Sequence, residues 1–100
     1  MSRPVLTPAD VDAALAEQGL AWSRRGDELV TTVKLADFAA ALAFVNAVGA
    51  AAEAANHHPD IDIRWNTVNL ALTTHDSGGL TVTDLALAAA IDLLRPRSED

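Results

Sequence analysis

Residues 61–72 alternate between apolar and polar side chains, and the phase of this alternation changes once. Apolar side chains fill the odd positions before the change and the even positions after it: Ile61, Ile63 and Trp65, then Val68, Leu70 and Leu72. Neighbouring side chains of a strand point to opposite faces, so the change predicts a β-hairpin with a two-residue turn at Asn66 and Thr67. Trp65 then pairs with Val68 and Ile61 with Leu72, on one apolar face. A longer loop with a bulge would shift this register by a residue or two.

Capping residues and helical spacing of apolar residues predict three helices. Thr7, Pro8 and Asp10 are typical of a helix start, and Thr81 with Asp84 forms a capping-box pattern. Two short segments flank a Gly-containing turn, and the second of them is rich in β-branched residues. This pattern predicts a second hairpin. The predicted helices cover residues 8–18, residues 36–55 and the segment after Thr81, and the additional strands cover residues 20–24 and 28–34. The broad stripe expected to be buried on the long helix includes Phe38 and Leu42.

The predicted order of elements is α-β-β-α-β-β-α. With a hairpin on each side of the long helix, the economical arrangement is an α+β fold in which three helices cover one face of a four-stranded antiparallel sheet. The opposite face is then free for a ligand or a subunit. The 100 residues fit a single domain, and we expect residues 1–6 and 95–100 to be frayed tails.

Charge and composition exclude several functional classes. Fourteen acidic residues against seven basic ones leave a net charge of −7, which repels nucleic acid phosphates. The absence of cysteine excludes disulfides, thiolate catalysis and sulfur-ligated metal sites. The first residues lack the apolar core of a signal peptide, and no uninterrupted apolar run approaches the roughly 18 residues of a membrane span. We therefore expect a cytoplasmic protein with no membrane partner.

All three histidines, His57, His58 and His75, lie in two short connections. In the predicted register His75 falls opposite His58, which brings the three side chains to one site. Histidine exchanges protons near neutral pH, so the group suggests acid-base catalysis. A single loop histidine is more often a helix cap or a solvated side chain. Metal ligation is less favoured, because adjacent side chains diverge in extended backbone and no i, i+4 histidine pair exists.

Two of the carboxylates near the histidines have both a functional and a purely structural interpretation. Glu53, one helical turn before His57, either orients that ring or holds N–H groups of a substrate, or else is a solvated helix residue. Asp76 is either a partner of His75 or an ordinary loop acid. Asp60 and Asp62 are expected to face solvent and to protect a strand edge.

Three stretches together resemble the pterin-4a-carbinolamine dehydratase family. The residues and their spacing match the family's motifs in each stretch: Glu53-x-x-x-His57-His58-Pro59, then Trp65-Asn66-x-Val68-x-Leu70-x-Leu72-x-Thr74-His75-Asp76, then Gly79-Leu80-Thr81-x-x-Asp84. The resemblance also includes Asp37, Phe38, Phe44, Val48 and Trp22, and it covers nearly the whole chain. Trp65 stands where the family more often has tyrosine.

The resemblance implies removal of water from 4a-hydroxytetrahydrobiopterin to give quinonoid dihydropterin, in tetrahydropterin recycling. It implies no cofactor, a homodimer or homotetramer, and a functional link to an aromatic amino acid hydroxylase. The family's catalytic histidines carry over to His57, His58 and His75, and we expect Glu53, Thr74 and Asp76 to bind substrate. The alternatives are a catalytically silent binding or assembly protein of this fold and an enzyme of molybdopterin metabolism.

Overall fold

The computed structural model describes residues 4–96 and confirms the α+β fold. The elements follow the predicted order, with one short 3₁₀ helix before the last α-helix. They are α1 Pro8–Gln18, β1 Ser23–Arg25, β2 Glu28–Lys34, α2 Phe38–Ala55, β3 Asp60–Arg64, β4 Thr67–Leu72, the 3₁₀ helix His75–Ser77 and α3 Val82–Asp92. The four strands form one antiparallel sheet in the order β1-β2-β4-β3. The sheet edges are therefore β1 and β3.

The register of the β3–β4 hairpin differs from the prediction by two residues. Ile63 pairs with Val68, so the turn consists of Trp65 and Asn66, and Trp65 is 67% exposed. The predicted pair of Trp65 with Val68 and the predicted turn at Asn66 and Thr67 are wrong. A shift of two residues keeps every side chain on the same face, so the alternation pattern alone could not distinguish the two registers.

Asn66 fixes the observed turn through a contact with Leu35. The backbone oxygen of Asn66 accepts from the Leu35 amide at 2.8 Å, and its side-chain amide donates to the Leu35 carbonyl at 3.1 Å. These bonds tie the turn to the segment before α2. Trp65 adopts a positive φ of 57°, at the turn position where glycine is usually preferred. The tertiary contact therefore determines the turn against local preference.

The termini of α1 and α2 follow from their capping residues. The Thr7 hydroxyl accepts from the Asp10 amide at 3.1 Å, and Pro8 is the first helical residue, as predicted. The long helix begins at Phe38, two residues later than predicted, because the Asp37 carboxylate caps it by accepting from the Ala40 amide at 2.8 Å.

The core lies between the helices and one face of the sheet. The buried face of α2 consists of Ala41, Phe44, Val48 and Ala52. Phe38 and Leu42, which were expected to be buried, are 46% and 42% exposed. The apolar stripe of α2 is wider than the surface that the sheet and α3 cover. By length and composition α2 could also cross a membrane, but one such helix is weak evidence because helices of soluble proteins share these properties.

Parts of the two expected tails are held by hydrogen bonds. The Leu6 amide donates to the Leu80 carbonyl at 2.7 Å. Arg95 donates from Nε to Asp92 Oδ1 at 2.7 Å. Residues 1–3 and 97–100, where fraying was also expected, lie outside the described residues.

Candidate active site

The C-terminus of α2 positions the adjacent histidines. Asn56 takes the left-handed conformation, with φ 50°, and its amide bonds to the Glu53 carbonyl at 3.2 Å. The His57 amide bonds to the Ala52 carbonyl at 3.1 Å, which completes a Schellman motif. Pro59 then prevents any return to helix. His57 and His58 are therefore held just outside the helix by its capping bonds.

His57 is bound to a fully buried carboxylate. Its Nε2 lies 2.5 Å from Oδ1 of Asp84, whose side chain has no exposed surface, and the His57 side chain is 12% exposed. Since a carboxylate can only accept, Nε2 carries the hydrogen. This bond fixes the tautomer and leaves Nδ1 of His57 as the nitrogen that can exchange a proton.

The second oxygen of Asp84 completes a polar network at the start of α3. Oδ2 accepts from the Thr81 amide at 2.9 Å and from the Thr74 hydroxyl at 2.7 Å. The Thr81 hydroxyl caps the helix in return, so the predicted capping box is present. Both Asp84 oxygens therefore have partners, as a buried carboxylate requires. One side chain both caps α3 and orients His57.

His58 has an exposed carboxylate partner. Its Nε2 lies 2.5 Å from Oε2 of Glu53, and both side chains are more than half exposed. Of the interpretations of Glu53 that the sequence left open, orientation of His57 does not hold, because Glu53 contacts His58 instead. The reason is that the capping turn places His58 beside the last turn of α2, while His57 points towards α3. The two adjacent rings thus have separate partners on separate helices.

The 3₁₀ helix brings His75 to the same place. Thr74 and Gly79 form an isolated β-bridge, and the turn between them starts with His75. A pocket of about 230 Å³ is lined by all three histidines and four neighbours: Asn56, His57, His58, Thr73, Thr74, His75 and Asp76. The three histidines therefore converge as expected, but by a different route. The observed register ends with Asp60 opposite Ala71, so its continuation would bring position 58 level with Thr73 and not with His75, and the turn after β4 supplies His75.

The proposed substrate-binding residues occupy different positions around this pocket. Thr74 and Asp76 line it, and the Thr74 hydroxyl also bonds to Asp84. Sequence reasoning assigned Asp84 to the helix cap alone and missed its contact with His57. The sequence signal was present in the family motif, which ends at Asp84, but nothing local to that residue points to a histidine 27 positions earlier. Within residues 4–96 no cluster of three or more His, Asp or Glu side chains has the arrangement of a metal site.

A sequence model of the protein family described as pterin 4 alpha carbinolamine dehydratase matches residues 4–94 of this chain. The chain belongs to this family. A relative from Chloroflexus aurantiacus is 58% identical over 89 residues, which is 89% of this chain and 95% of the relative. One from Nocardia farcinica is 53% identical over 86% of this chain and 92% of its own length. Both are provisionally named pterin-4-alpha-carbinolamine dehydratase. The resemblance drawn from the three motif stretches is thus confirmed at the level of the family.

Two solved structures of related proteins share the fold. A transcriptional coactivator/pterin dehydratase from Brucella melitensis superimposes with a TM-score of 0.86 at 26% identity, covering 93% of this chain and all of that one. A pterin dehydratase-like protein identified as a RuBisCO assembly factor in the alpha-carboxysome superimposes with a TM-score of 0.62 at 25% identity. That match covers 79% of this chain and 92% of that one. Members of this family fold therefore have names that describe more than one function.

Proposed function

We propose that this protein is a 4a-hydroxytetrahydrobiopterin dehydratase that uses its histidines as acid and base. The observation that supports this proposal best is the pocket in which His57, held by buried Asp84, meets His58 and His75. A histidine that is oriented by a buried carboxylate and still lines an open pocket suits proton transfer to a bound molecule.

The reaction needs two proton movements and no change of oxidation state. The C4a–O bond breaks after the hydroxyl oxygen gains a proton and leaves as water, and the N5–H bond gives its electron pair to a new C4a=N5 double bond. We assign proton transfer to the departing hydroxyl group to His57 and His75. His57 in its protonated form carries a proton on Nδ1 while Nε2–H remains bonded to Asp84. Positioned acid and base groups typically contribute about 10² to 10⁴ each to the rate.

His58 and Glu53 suit the second proton transfer, at N5, the ring atom bonded to C4a. An imidazole whose Nε2 faces the Glu53 carboxylate can accept the N5 proton at Nδ1, and the carboxylate stabilises the positive charge that results. Because this pair is exposed, it can adjust when a substrate enters. Thr74 and Asp76 complete the proposed substrate contacts. The reaction needs no cofactor in this scheme.

The direct test is a dehydration assay with chemically generated 4a-hydroxytetrahydropterin, without added metal or nucleotide. We expect the purified protein to accelerate loss of the intermediate, and we expect the rate to be unchanged after exhaustive chelation. An enzyme that chelation inactivates and zinc restores would replace the acid-base scheme with a metal-dependent one. No acceleration under either condition would reject the dehydratase proposal.

A catalytically silent binding or assembly role is the second candidate. It is favoured by one observation, the similarity to the carboxysomal assembly factor. The retention of all three motif histidines around one pocket favours the enzyme. A family enzyme that acts on another pterin, for example in molybdopterin metabolism, would pass the same assay with a different preferred substrate. In each case we expect a cytoplasmic homodimer or homotetramer, and for the biopterin enzyme a functional link to an aromatic amino acid hydroxylase.

A further inference from the structure

A second concavity, larger than the histidine pocket, lies on the sheet face that the helices leave open. Its volume is about 630 Å³, and its lining includes Arg25, Val30, Asp60, Asp62, Asn69 and Ala71. Val30, Ala71 and Asp60 form one row across three strands, because Val30 pairs with Ala71 and Ala71 with Asp60. We call this concavity the sheet groove.

The sheet groove leads towards the histidine pocket along β4. Asn69 and Ala71 line the groove, and Thr73, two residues further on, lines the pocket. Residues two apart on a strand point to the same face and lie about 7 Å from each other. Asp60 lines the groove as well, and His58, two residues before it in the chain, lines the pocket. An extended substituent on a molecule in the pocket could therefore reach the groove without crossing the sheet.

The histidine pocket is small for a whole substrate. Its 230 Å³ is below the range of about 300 to 1,000 Å³ that is usual for sites of drug-sized ligands. A bicyclic pterin with a side chain at C6 would extend beyond it. The adjoining groove offers the additional volume.

The lining of the sheet groove fits a neutral, hydroxylated group. Asp60 and Asp62 offer acceptors and Arg25 offers donors, while the Asn69 amide links two neighbours, its oxygen accepting from the Thr32 hydroxyl at 2.7 Å. The Asn69 amide donates to Asp62 at 3.0 Å, and this bond holds the pKa of that carboxyl below its ordinary value. Arg64 pairs with Asp62 at 3.2 Å, so a neighbouring guanidinium already balances one of the two carboxylates, and it is the net charge of −7 on the whole chain that disfavours an anionic substituent such as a chain of glutamates.

We propose that the sheet groove is a specificity site for the hydroxylated C6 substituent of the pterin that the histidine pocket holds. This inference rests on the proposed function, because it assigns the two ends of one substrate to the two cavities. The groove then determines which pterin the enzyme prefers, while the histidines carry out the same dehydration on any of them.

The test is to fill the groove without touching the histidines. Ala71→Phe places a large side chain on the open face of β4, and phenylalanine is well tolerated in strands. Thr67→Phe is the matched control, since Thr67 lies on the same strand and face but outside the groove. Both variants and the wild type are assayed with 4a-hydroxytetrahydropterins that have either a dihydroxypropyl group or a methyl group at C6. Asp60→Ala serves as a second groove variant that removes one acceptor instead of adding bulk.

We expect Ala71→Phe to raise KM for the dihydroxypropyl substrate at least about 10-fold and to leave turnover of the methyl substrate unchanged, while Thr67→Phe changes neither. Asp60→Ala should raise the same KM about 3- to 10-fold, as the loss of one hydrogen bond predicts. Equal effects of Ala71→Phe on both substrates, or no effect on either, would overturn the groove proposal. The methyl substrate also shows that each variant is folded and active.

Measurements of pterin binding distinguish failure of the proposed function from failure of the groove proposal. If the wild type turns over neither substrate, the dissociation constants of fully oxidised pterins with the same two C6 groups decide the matter. If Ala71→Phe weakens binding of the dihydroxypropyl pterin but not of the methyl pterin, the groove proposal is supported even for a catalytically silent protein. Unchanged binding in that variant, or a wild type that binds neither pterin, would overturn it.

Discussion

Nε2 of His57 and Oδ1 of Asp84 lie 2.5 Å apart, although the two residues are 27 positions apart in the chain. His57 lies directly after the C-terminal cap of α2, and Asp84 lies in the first turn of α3. Asp84 has no exposed side-chain surface, and its other oxygen holds Thr81 and Thr74. The cap of α3 and the orientation of a proposed catalytic ring thus depend on one carboxylate, so catalysis and local stability are linked at this residue.

The variant Asp84→Asn tests whether this carboxylate has a role in catalysis in addition to capping a helix. The variant keeps the size of the side chain but loses one acceptor oxygen and the negative charge that a protonated His57 requires. We expect kcat for dehydration to fall about 100-fold, at the low end of the effect of a positioned acid or base. The free energy of unfolding should fall by about 1 kcal/mol because the cap is weakened.

Asp37→Asn is the control, since Asp37 is also a carboxylate that accepts a backbone hydrogen bond at a helix N-terminus, as the N-cap residue of α2, and it does not line the histidine pocket. Its stability should change by a comparable or smaller amount, and its kcat should equal that of the wild type. Urea unfolding and steady-state kinetics measure the two quantities separately. If Asp84→Asn loses stability but keeps its kcat, Asp84 is a structural residue only.

His57→Ala and His75→Ala should each lower turnover by roughly 100-fold or more without unfolding the protein. The reason is that each variant removes one proton-transfer group from the pocket. The double variant should lose much less than the product of the two single losses, because groups that act as a unit are not additive. Circular dichroism confirms folding, and initial rates give the coupling. Fully multiplicative losses, or a His75→Ala enzyme with ordinary activity, would show that the two residues do not act together.

Asp92→Ala should destabilise the fold and leave the chemistry unchanged. Asp92 accepts from the Ala21 amide at 2.8 Å, from Trp22 Nε1 at 2.9 Å and from Arg95 Nε at 2.7 Å. Removing the shared acceptor leaves the buried Trp22 N–H without a partner, so we expect a loss of about 2 kcal/mol in urea unfolding. Asp12→Ala, which breaks the exposed pair with Arg24, should have a much smaller effect, because solvent screens that pair. Equal losses in the two variants would contradict the importance of the Asp92 network.

The exposed apolar side chains of α2 predict self-association. Phe38 and Leu42 are both more than two-fifths exposed on one helix. We expect sedimentation at micromolar concentration to show a homo-oligomer, and Leu42→Glu to shift the distribution towards smaller species. Leu93→Glu, at a leucine that is 88% exposed after α3, is the control and should leave the distribution unchanged. A monomeric wild type would reject this prediction.

Most of the fold could be predicted because its signals are local. Thr7 and Pro8 determine where α1 begins, and the β-branched residues of β2 and the alternation in β4 indicate strands without any knowledge of their partners. The convergence of the three histidines was also predicted, but from a register that was wrong by two residues. It holds because the turn that begins at His75 brings that residue back to the end of the sheet.

The sequence by itself determined which faces are apolar, where the helices are capped and which residues can exchange protons, since these properties belong to single residues and their near neighbours. Only the tertiary structure decided the hairpin register and the partners of the histidines. The register depends on the bonds between Asn66 and Leu35, and the partner of His57 is Asp84 on another helix. Both are contacts between segments that are distant in the chain, and such contacts form only once the helices and the sheet have packed against each other.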